Sequence, residues 1–410
     1  MWTIKLKRLE NGERIYLPFQ DGFPVFYPTY FITSKFRHKS PSTQNNVLNH
    51  LRFLPYWEFV SNICLVDRVK NGIEITDVEF QSLVDFTGYH KDTAEKIIQG
   101  VKVLPKAYQY VDSETRYNRL KAIQRYVCEF LYPLVSGHPD KDKQATRLNN
   151  KFNGHLPKKR RGDANIDAKL TDEQIDVLLH KILPGHPETP WKSSDSLQLR
   201  NCLMIHTLYE TGMRKGEMCG LYVEDIDIAD NLIRIRKRHH DPADPRNYQP
   251  LQKTKERDIP VPEELIHALW QYITEHRGKC KAARKHPVLF VNHEKERVGQ
   301  PLTISGFDYV MKTLKAAFPI LKEVYPHLFR HHFNYRFSEW LRQSPDWEKM
   351  TPKEKESLDE QTRSDVMGWQ PGGQMQTLYN RRYNKEVANK AMQRRADNLS
   401  DLAKSGQKWD

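Results

Sequence analysis

Residues 211–221 read TGMRKGEMCGL, and residues 326–333 read PHLFRHHF. The first stretch places Arg214 directly after a Gly-Met turn, and the second places Arg330 three residues after His327. Residues three apart lie on one face of a helix, so His327 and Arg330 are expected to share a face. The two stretches therefore predict a cationic pocket that is assembled from distant parts of the chain.

A lysine and a tyrosine complete the set of candidate reactive groups. Lys253 lies in the run QKTKER between two predicted strands, and Lys255 is its alternative. Tyr379 lies in the run TLYNRRY, and Tyr383 is its alternative. Two arginines, a lysine and a histidine are the groups needed to hold a phosphodiester while a tyrosine attacks it. The pattern predicts DNA strand breakage through a covalent enzyme–phosphate bond, without a metal.

The order of these residues, with their neighbours, resembles the tyrosine recombinase family, also called the phage integrase family. Residues 211–221 resemble the first arginine box of that family, and residues 326–333 resemble its second box. Residues 367–369 (Met-Gly-Trp) resemble its Leu-Gly-His or Leu-Gly-Trp turn. The resemblance covers about residues 165–395.

Chemistry and resemblance together assign a role to each candidate catalytic residue. Arg214 and Arg330 are assigned to the scissile phosphate, because a planar guanidinium offers paired donors with a permanent charge. Tyr379 is the expected nucleophile. Lys253 is the expected general acid for the leaving 5′-oxygen. His327 is expected to contact the phosphate and to transfer a proton with the tyrosine.

Three further residues are expected to support the site. Trp369 stands where many family members have a histidine, and it can donate one hydrogen bond but cannot shuttle protons. Glu217 is expected to orient the site from behind, and His331 to support it from the side. Tyr379 follows Trp369 by ten residues, one more than the commonest family pattern, which is why Tyr383 stays open as the alternative.

The charge of the chain predicts a polyanionic partner. Lys and Arg number 65 against 52 Asp and Glu, a formal net charge of +13. The sequence Lys158-Lys159-Arg160-Arg161 is expected to bind DNA phosphates as a basic strap, with a nuclear localisation signal as the alternative.

The cysteine pattern and the hydropathy exclude several other classes of protein. The 5 cysteines are far apart and form no C-x-x-C pair, which argues against a disulfide framework or a zinc ribbon. No apolar run reaches membrane-spanning length. We therefore expect no metal site and no cofactor, and a cytoplasmic, nucleoid-associated protein without membrane contact.

The fold class expected is multidomain, with a helical core-binding domain and a mainly helical α+β catalytic domain that contains a small antiparallel sheet. The predicted parts are an N-terminal β-hairpin extension (1–24), the helical core-binding (DNA-binding) domain (25–138), a basic interdomain linker (139–166), the catalytic domain (167–385), and a C-terminal helix and tail for subunit contact (386–410).

Local patterns predict the individual elements. Asn11-Gly12 between two alternating segments predicts a hairpin, expected to pack on its neighbour, with a DNA-binding arm as the alternative. Apolar spacing predicts a helix over 46–60 and another over 116–134, the latter with Arg119 on a charged face. In the second half, strands are predicted over 232–236, 257–261 and 288–291, and helices over 197–209, 263–276, 303–317, 326–341 and 386–402.

These features predict a site-specific recombinase or integrase of a mobile genetic element, which cleaves and rejoins DNA through a 3′-phosphotyrosyl intermediate without metal or ATP. The resemblance implies double-stranded recombination sites as substrate, a homo-tetramer on DNA that is a monomer or dimer in solution, and accessory proteins of the element. Two alternatives are a catalytically inactive DNA-binding protein with the same fold and a type IB topoisomerase-like enzyme.

Overall fold

The structure, a computed structural model, describes residues 2–101, 107–158, 168–369, 385, 388–389 and 391–397. The chain divides into two compact units, Met1–Gly162 and Asp163–Asp410, each with its own hydrophobic core. Among the described residues, no helix combines the length and apolar character needed to span a bilayer.

The first unit begins with an antiparallel sheet. Its strands are β1 (Thr3–Arg8), β2 (Arg14–Gln20) and β3 (Phe23–Pro24), with β2 in the centre. Trp2 and Ile15 belong to the core of this unit, and the Tyr16 N–H donates to Gln44 Oε1 at 3.0 Å. The predicted hairpin is confirmed and packs on its own unit. The short third strand was not predicted.

Helices form the rest of the first unit. They are α1 (Phe26–Lys35), α2 (Pro41–Leu51), α3 (Phe53–Ser61), α4 (Leu65–Lys70), α5 (Asp77–Phe86), α6 (Lys91–Ile98), α7 (Ser113–Tyr126), α8 (Tyr132–Val135) and α9 (Lys141–His155). The prediction of one helix over 46–60 is wrong, since α2 ends at Leu51 and α3 begins at Phe53. Pro55 explains the break, because it has no N–H to donate to the Leu51 carbonyl.

Helix α9 corrects the prediction that residues 139–166 are a linker. Leu148 and Phe152 on this helix are buried in the core of the first unit. The Gln124 side-chain amide donates to Asn149 Oδ1 at 2.7 Å and to Asn153 Oδ1 at 2.9 Å. The helix therefore packs through amide contacts as well as through Leu148 and Phe152, and it carries too few apolar residues for its period to be recognised.

Arg119 corrects a second prediction, that it lies on a solvated or DNA-binding face. Its Nη1 donates to the carbonyls of Thr87 at 2.9 Å and Tyr89 at 2.6 Å, and its Cζ lies 3.5 Å from the centre of the Phe53 ring. Burial lowers the pKa of Arg119 to about 10. Arg119 is thus a structural residue of the first unit.

The second unit is mainly helical. Its helices are α10 (Asp172–Asp176), α11 (Asp195–Thr211), α12 (Lys215–Cys219), α13 (Glu263–Gln271), α14 (Ile304–Ala317), α15 (Pro326–Arg342) and α16 (Pro352–Met367), and its strands are β4 (Ile226–Asp227), β5 (Leu232–Ile235) and β6 (Arg257–Pro260). The strands form one antiparallel sheet in the order β4-β5-β6. The α+β fold class is confirmed.

Most elements predicted for the second unit are present, but the strand predicted over residues 288–291 is not. Residues 288–291 were predicted as a strand, but only Val288 and Val291 form isolated bridges there. At the C-terminal end, residues 385, 388–389 and 391–397 are helical. The remainder of the helix predicted over 386–402 lies outside the described residues.

Candidate active site

Arg214 is placed by the turn between α11 and α12. Helix α11 ends at Gly212, whose φ of +57° is the left-handed conformation that glycine adopts without strain. A Cβ on Gly212 would lie 2.7 Å from Cγ of Phe333 on α15, so the turn also depends on the absence of a side chain. Arg214 follows as the first residue before α12, and its side chain is 29% exposed.

Glu217 lies behind Arg214 and is fully buried. Its carboxylate accepts hydrogen bonds from the Arg214 N–H at 3.0 Å, from Thr254 Oγ1 at 2.7 Å and from Arg257 Nη2 at 2.9 Å, and Arg214 Nη1 lies 3.4 Å away. Burial alone would raise the pKa of Glu217, but the charges of Arg257 and Arg330 and these hydrogen bonds outweigh it and lower the pKa to about 2. Glu217 therefore lies directly behind Arg214 and is bonded to its backbone N–H.

Arg330 connects the ends of two helices at the same place. It is 1% exposed, and it donates from Nη1 to the Gly212 carbonyl at 3.0 Å and from Nη2 to the Met367 carbonyl at 2.8 Å. Its Cζ lies 5.5 Å from the centre of a Trp369 ring. Arg330 thereby brings α15, the Arg214 turn and the end of α16 together.

His327 and His331, two of the three histidines of the second arginine box, lie one turn apart on α15. The rings of His327 and His331 are in edge-to-face contact, with centroids 4.7 Å apart. Although His327 is an exposed residue, desolvation of its ring and the positive charges of His331, Arg330 and Arg214 lower its pKa to about 4. The lowered pKa favours the neutral form of the His327 imidazole.

The loop before β6 carries Lys253 to this cluster. Lys253 is exposed, but its neighbour Thr254 is buried and bonded to Glu217. The Lys255 N–H donates to the Gly368 carbonyl at 2.9 Å, so the loop is also tied to the turn that precedes Trp369. Lys253 projects from a segment that is held on both sides.

Trp369 is 5% exposed and packs with Phe333 and Met367 in a small cluster beside Arg330. The structure thus brings together Arg214, Glu217, His327, Arg330, His331, Trp369 and the Lys253 loop. Tyr379 and Tyr383 lie outside the described residues, as do Lys159, Arg160 and Arg161. Lys158 is exposed in the first unit.

Sequence reasoning missed Arg257, which is buried in the same network. Its Nη1 donates to Thr254 Oγ1 at 2.8 Å, and its Nη2 binds Glu217 at 2.9 Å. The one available signal was the alternation of β6, in which Arg257 and Ile259 occupy the inward positions. An arginine at an inward position of a strand needs a buried anion as partner.

A buried histidine next to the site predicts a pH-dependent stability. His332 is buried and stacks on Tyr209 with ring centroids 5.5 Å apart. Its pKa is lowered to about 4, mainly by burial and further by the positive charges of Arg336 and Lys169. Below about pH 6.5 the unfolded chain takes up a proton that the folded chain refuses, so stability is lost as the pH falls toward 4.

The unfolding free energy of the wild type should decrease when the pH is lowered from 7 to 5. In His332→Phe we expect this decrease to be smaller by about 1–2 kcal/mol, because the acid-sensitive group is gone. Chemical denaturation at both pH values measures this difference. The control is His267→Phe, at an exposed position of α13. Parallel pH dependences for the wild type and His332→Phe would contradict the expectation.

Comparison with known proteins points to one family. The sequence model of the phage integrase family matches residues 169–340, which contain both arginine boxes. Tyrosine recombinase XerD of Halalkalibacterium halodurans is 32% identical over 168 residues, which are 41% of this chain and 47% of that protein. Residues 169–340 match the tyrosine recombinase (phage integrase) family.

Two further proteins extend the comparison. Tyrosine recombinase XerC of Herpetosiphon aurantiacus is 30% identical over 171 residues, which are 42% of this chain and 47% of that protein. The chain thus spans about half the length of these curated relatives. The solved Tn1549 transposon integrase in complex with transposon right end DNA is 17% identical, with 83% of this chain and 90% of that chain covered at a TM-score of 0.44.

Proposed function

We propose that this chain is a tyrosine recombinase that cleaves and rejoins duplex DNA at specific sites through a 3′-phosphotyrosyl intermediate. The observation that carries the proposal is the convergence of Arg214, His327 and Arg330 around a buried Glu217. These groups come from two segments far apart in sequence, and the carboxylate and the Gly212 carbonyl hold the two arginines. Such a cluster is suited to bind one phosphodiester group and to stabilise the negative charge that develops on it.

The cleavage step follows from the roles of these side chains. The phenolic oxygen of Tyr379 bonds to phosphorus while the bond from phosphorus to the 5′-oxygen breaks. The electron pair of that bond leaves with the 5′-oxygen, which takes a proton from Lys253. Neutral His327 accepts the phenolic proton. The phosphotyrosyl bond retains the energy of the original ester, so the 5′-hydroxyl of another strand reverses the step without ATP or a metal.

The remaining features of the proposal concern the partners. The net charge of +13 supports a duplex DNA substrate. Recombination between two sites requires four cleavages, and we propose that a homo-tetramer on DNA provides them, with accessory proteins of a mobile element directing the outcome. A cytoplasmic, nucleoid-associated location follows from a DNA substrate.

The test of the proposal is a covalent trap. The purified chain is incubated with nicked suicide duplexes made from the DNA that flanks its own gene, with and without EDTA. We expect an SDS-resistant protein–DNA adduct in both conditions, and peptide mapping of the adduct identifies the linked tyrosine. DNA binding without any adduct would support the inactive alternative. An adduct accompanied by plasmid relaxation but no strand exchange would support the topoisomerase alternative.

A further inference from the structure

The segment between β5 and β6 covers residues 236–256, and residues 241–250 within it are the part that the cleavage chemistry does not use. These ten residues include Pro242, Pro245 and Pro250, which restrict the backbone before folding. Their one cation, Arg246, is 7% exposed. A loop that contacted DNA phosphates would present its cations to solvent, so this segment is built for another purpose.

A buried ion pair anchors the segment. Asp244 is fully buried, and it accepts from Arg246 Nε at 2.9 Å and from Arg246 Nη2 at 2.7 Å. The remaining terminal nitrogen of Arg246, Nη1, donates to the carbonyls of Cys219 and Leu302, each at 2.8 Å. Cys219 is the last residue of α12, where a carbonyl has no partner within the helix. Arg246 therefore fastens the loop to the short helix that follows Arg214.

The chain between Arg246 and Lys253 then lies directly on α12. Gly216 and Gly220 face it, and a Cβ on Gly216 would lie 3.3 Å from the Leu251 carbonyl oxygen. The absence of a side chain at Gly216 and at Gly220 lets the loop backbone approach closely. Beyond Lys253, the loop is fixed again by the hydrogen bond from Thr254 to Glu217.

We propose that Asp244 and Arg246 form a clamp that positions Lys253 as the proton donor to the leaving 5′-oxygen. This inference rests on the proposed function, because it assigns Lys253 the general-acid role. Arg246 is a positioning residue that acts through the loop and contacts no substrate. Since Lys253 is exposed and bears a flexible side chain, its backbone has to be held if the ammonium group is to meet one oxygen atom.

The clamp is tested with two cleavage substrates that differ in the leaving atom. One is the ordinary suicide duplex, and the other has sulfur in place of the bridging 5′-oxygen. A thiolate leaves without being protonated because a thiol has a pKa of about 8.5, so the sulfur substrate does not need a general acid. We expect Lys253→Ala to lose about 10²–10⁴-fold in rate on the oxygen substrate and little on the sulfur substrate.

For Arg246→Met we expect a loss of about 10–100-fold on the oxygen substrate and of less than about 3-fold on the sulfur substrate. The matched control is Arg277→Met. Arg277 is also 7% exposed, and its described hydrogen bonds go to the carbonyls of Val288, Ala283 and His286 rather than to residues 241–250. Its replacement should change the two rates equally. Gly216→Ala, which displaces Leu251 without touching the ion pair, should give a smaller loss that sulfur again restores.

Equal losses on both substrates for Arg246→Met, or no loss on either, would overturn the clamp. If Lys253→Ala is as slow on the sulfur substrate as on the oxygen substrate, Lys253 is not the general acid and the clamp inference fails with it. Adduct formation by the wild type would still support the proposed cleavage reaction. A measurement that needs no activity is hydrogen exchange over residues 247–256. The exchange rate there should rise at least about tenfold in Arg246→Met and stay unchanged in Arg277→Met. If the exchange rate is unchanged in both variants, the clamp is overturned, whether or not the wild type forms an adduct.

Discussion

Tyr379→Phe is expected to abolish the covalent protein–DNA adduct while leaving DNA affinity within about twofold of the wild type. The substitution removes the phenolic oxygen, which is the atom that bonds to phosphorus, and keeps the ring. A free phenol with a pKa of about 10 is a weak nucleophile at pH 7, so its reactivity depends on nearby positive charge. Trp369, ten residues before Tyr379 in the sequence, has a ring centre 5.5 Å from Cζ of Arg330.

Tyr383→Phe is the matched control for this substitution. It makes the same chemical change four residues later in the chain, and we expect it to retain the adduct. Both variants are compared on one suicide duplex by denaturing gel, with a gel-shift titration to measure binding. Loss of the adduct in Tyr383→Phe but not in Tyr379→Phe would transfer the role of nucleophile to Tyr383.

The grouping of the site residues was predictable from the sequence because each motif carries a local signal. Gly212 ends a helix, and the spacing between His327 and Arg330 is helical, so the backbone around each cation follows from near neighbours. The Lys253 loop followed from two alternating segments. The resemblance to a family then placed these local pieces in one pocket, and the hydrogen bond from Arg330 to the Gly212 carbonyl is the contact that joins them.

The support behind the site was not predictable, because it depends on long-range pairing. Arg246 lies in a polar, proline-rich stretch that is typical of an exposed loop. Its partners Cys219 and Leu302 are 27 and 56 residues away in sequence, and nothing local to Arg246 indicates them. Arg257 is a similar case, since its anion Glu217 is 40 residues distant. A buried cation is recognisable only when its partner is known.

Helix α9 shows the same limit in the first unit. Hydrophobic periodicity detects helices that pack through apolar side chains. Gln144 is buried on this helix, and its amide donates to the Gly72 carbonyl at 3.0 Å. A helix that packs partly through polar side chains is rich in polar residues, so its sequence resembles that of an interdomain linker.

Glu217→Gln is expected to cost about 3–5 kcal/mol of unfolding free energy, the largest effect on stability that we predict. The glutamine side chain has nearly the same shape, but it lacks the negative charge that compensates Arg257. Arg257 is 9% exposed and forms an ion pair with Glu217 at 2.9 Å. Because the pKa of Glu217 is about 2, its stabilising charge is present above about pH 4.5 and is lost only as the pH falls toward 2. Chemical denaturation at pH 7 therefore measures the full effect.

A control and a double substitution separate stability from positioning. Glu210→Gln changes a carboxylate of α11 that is 3.7 Å from Arg336 and 23% exposed, so we expect a loss of about 1 kcal/mol or less. Glu217→Leu combined with Arg257→Met removes both buried charges, and part of the lost stability should return. Cleavage should not return, because Arg214 has lost the carboxylate that accepts its N–H and lies 3.4 Å from its Nη1. Full cleavage activity in the stable double variant would show that Glu217 does not position Arg214 for the reaction.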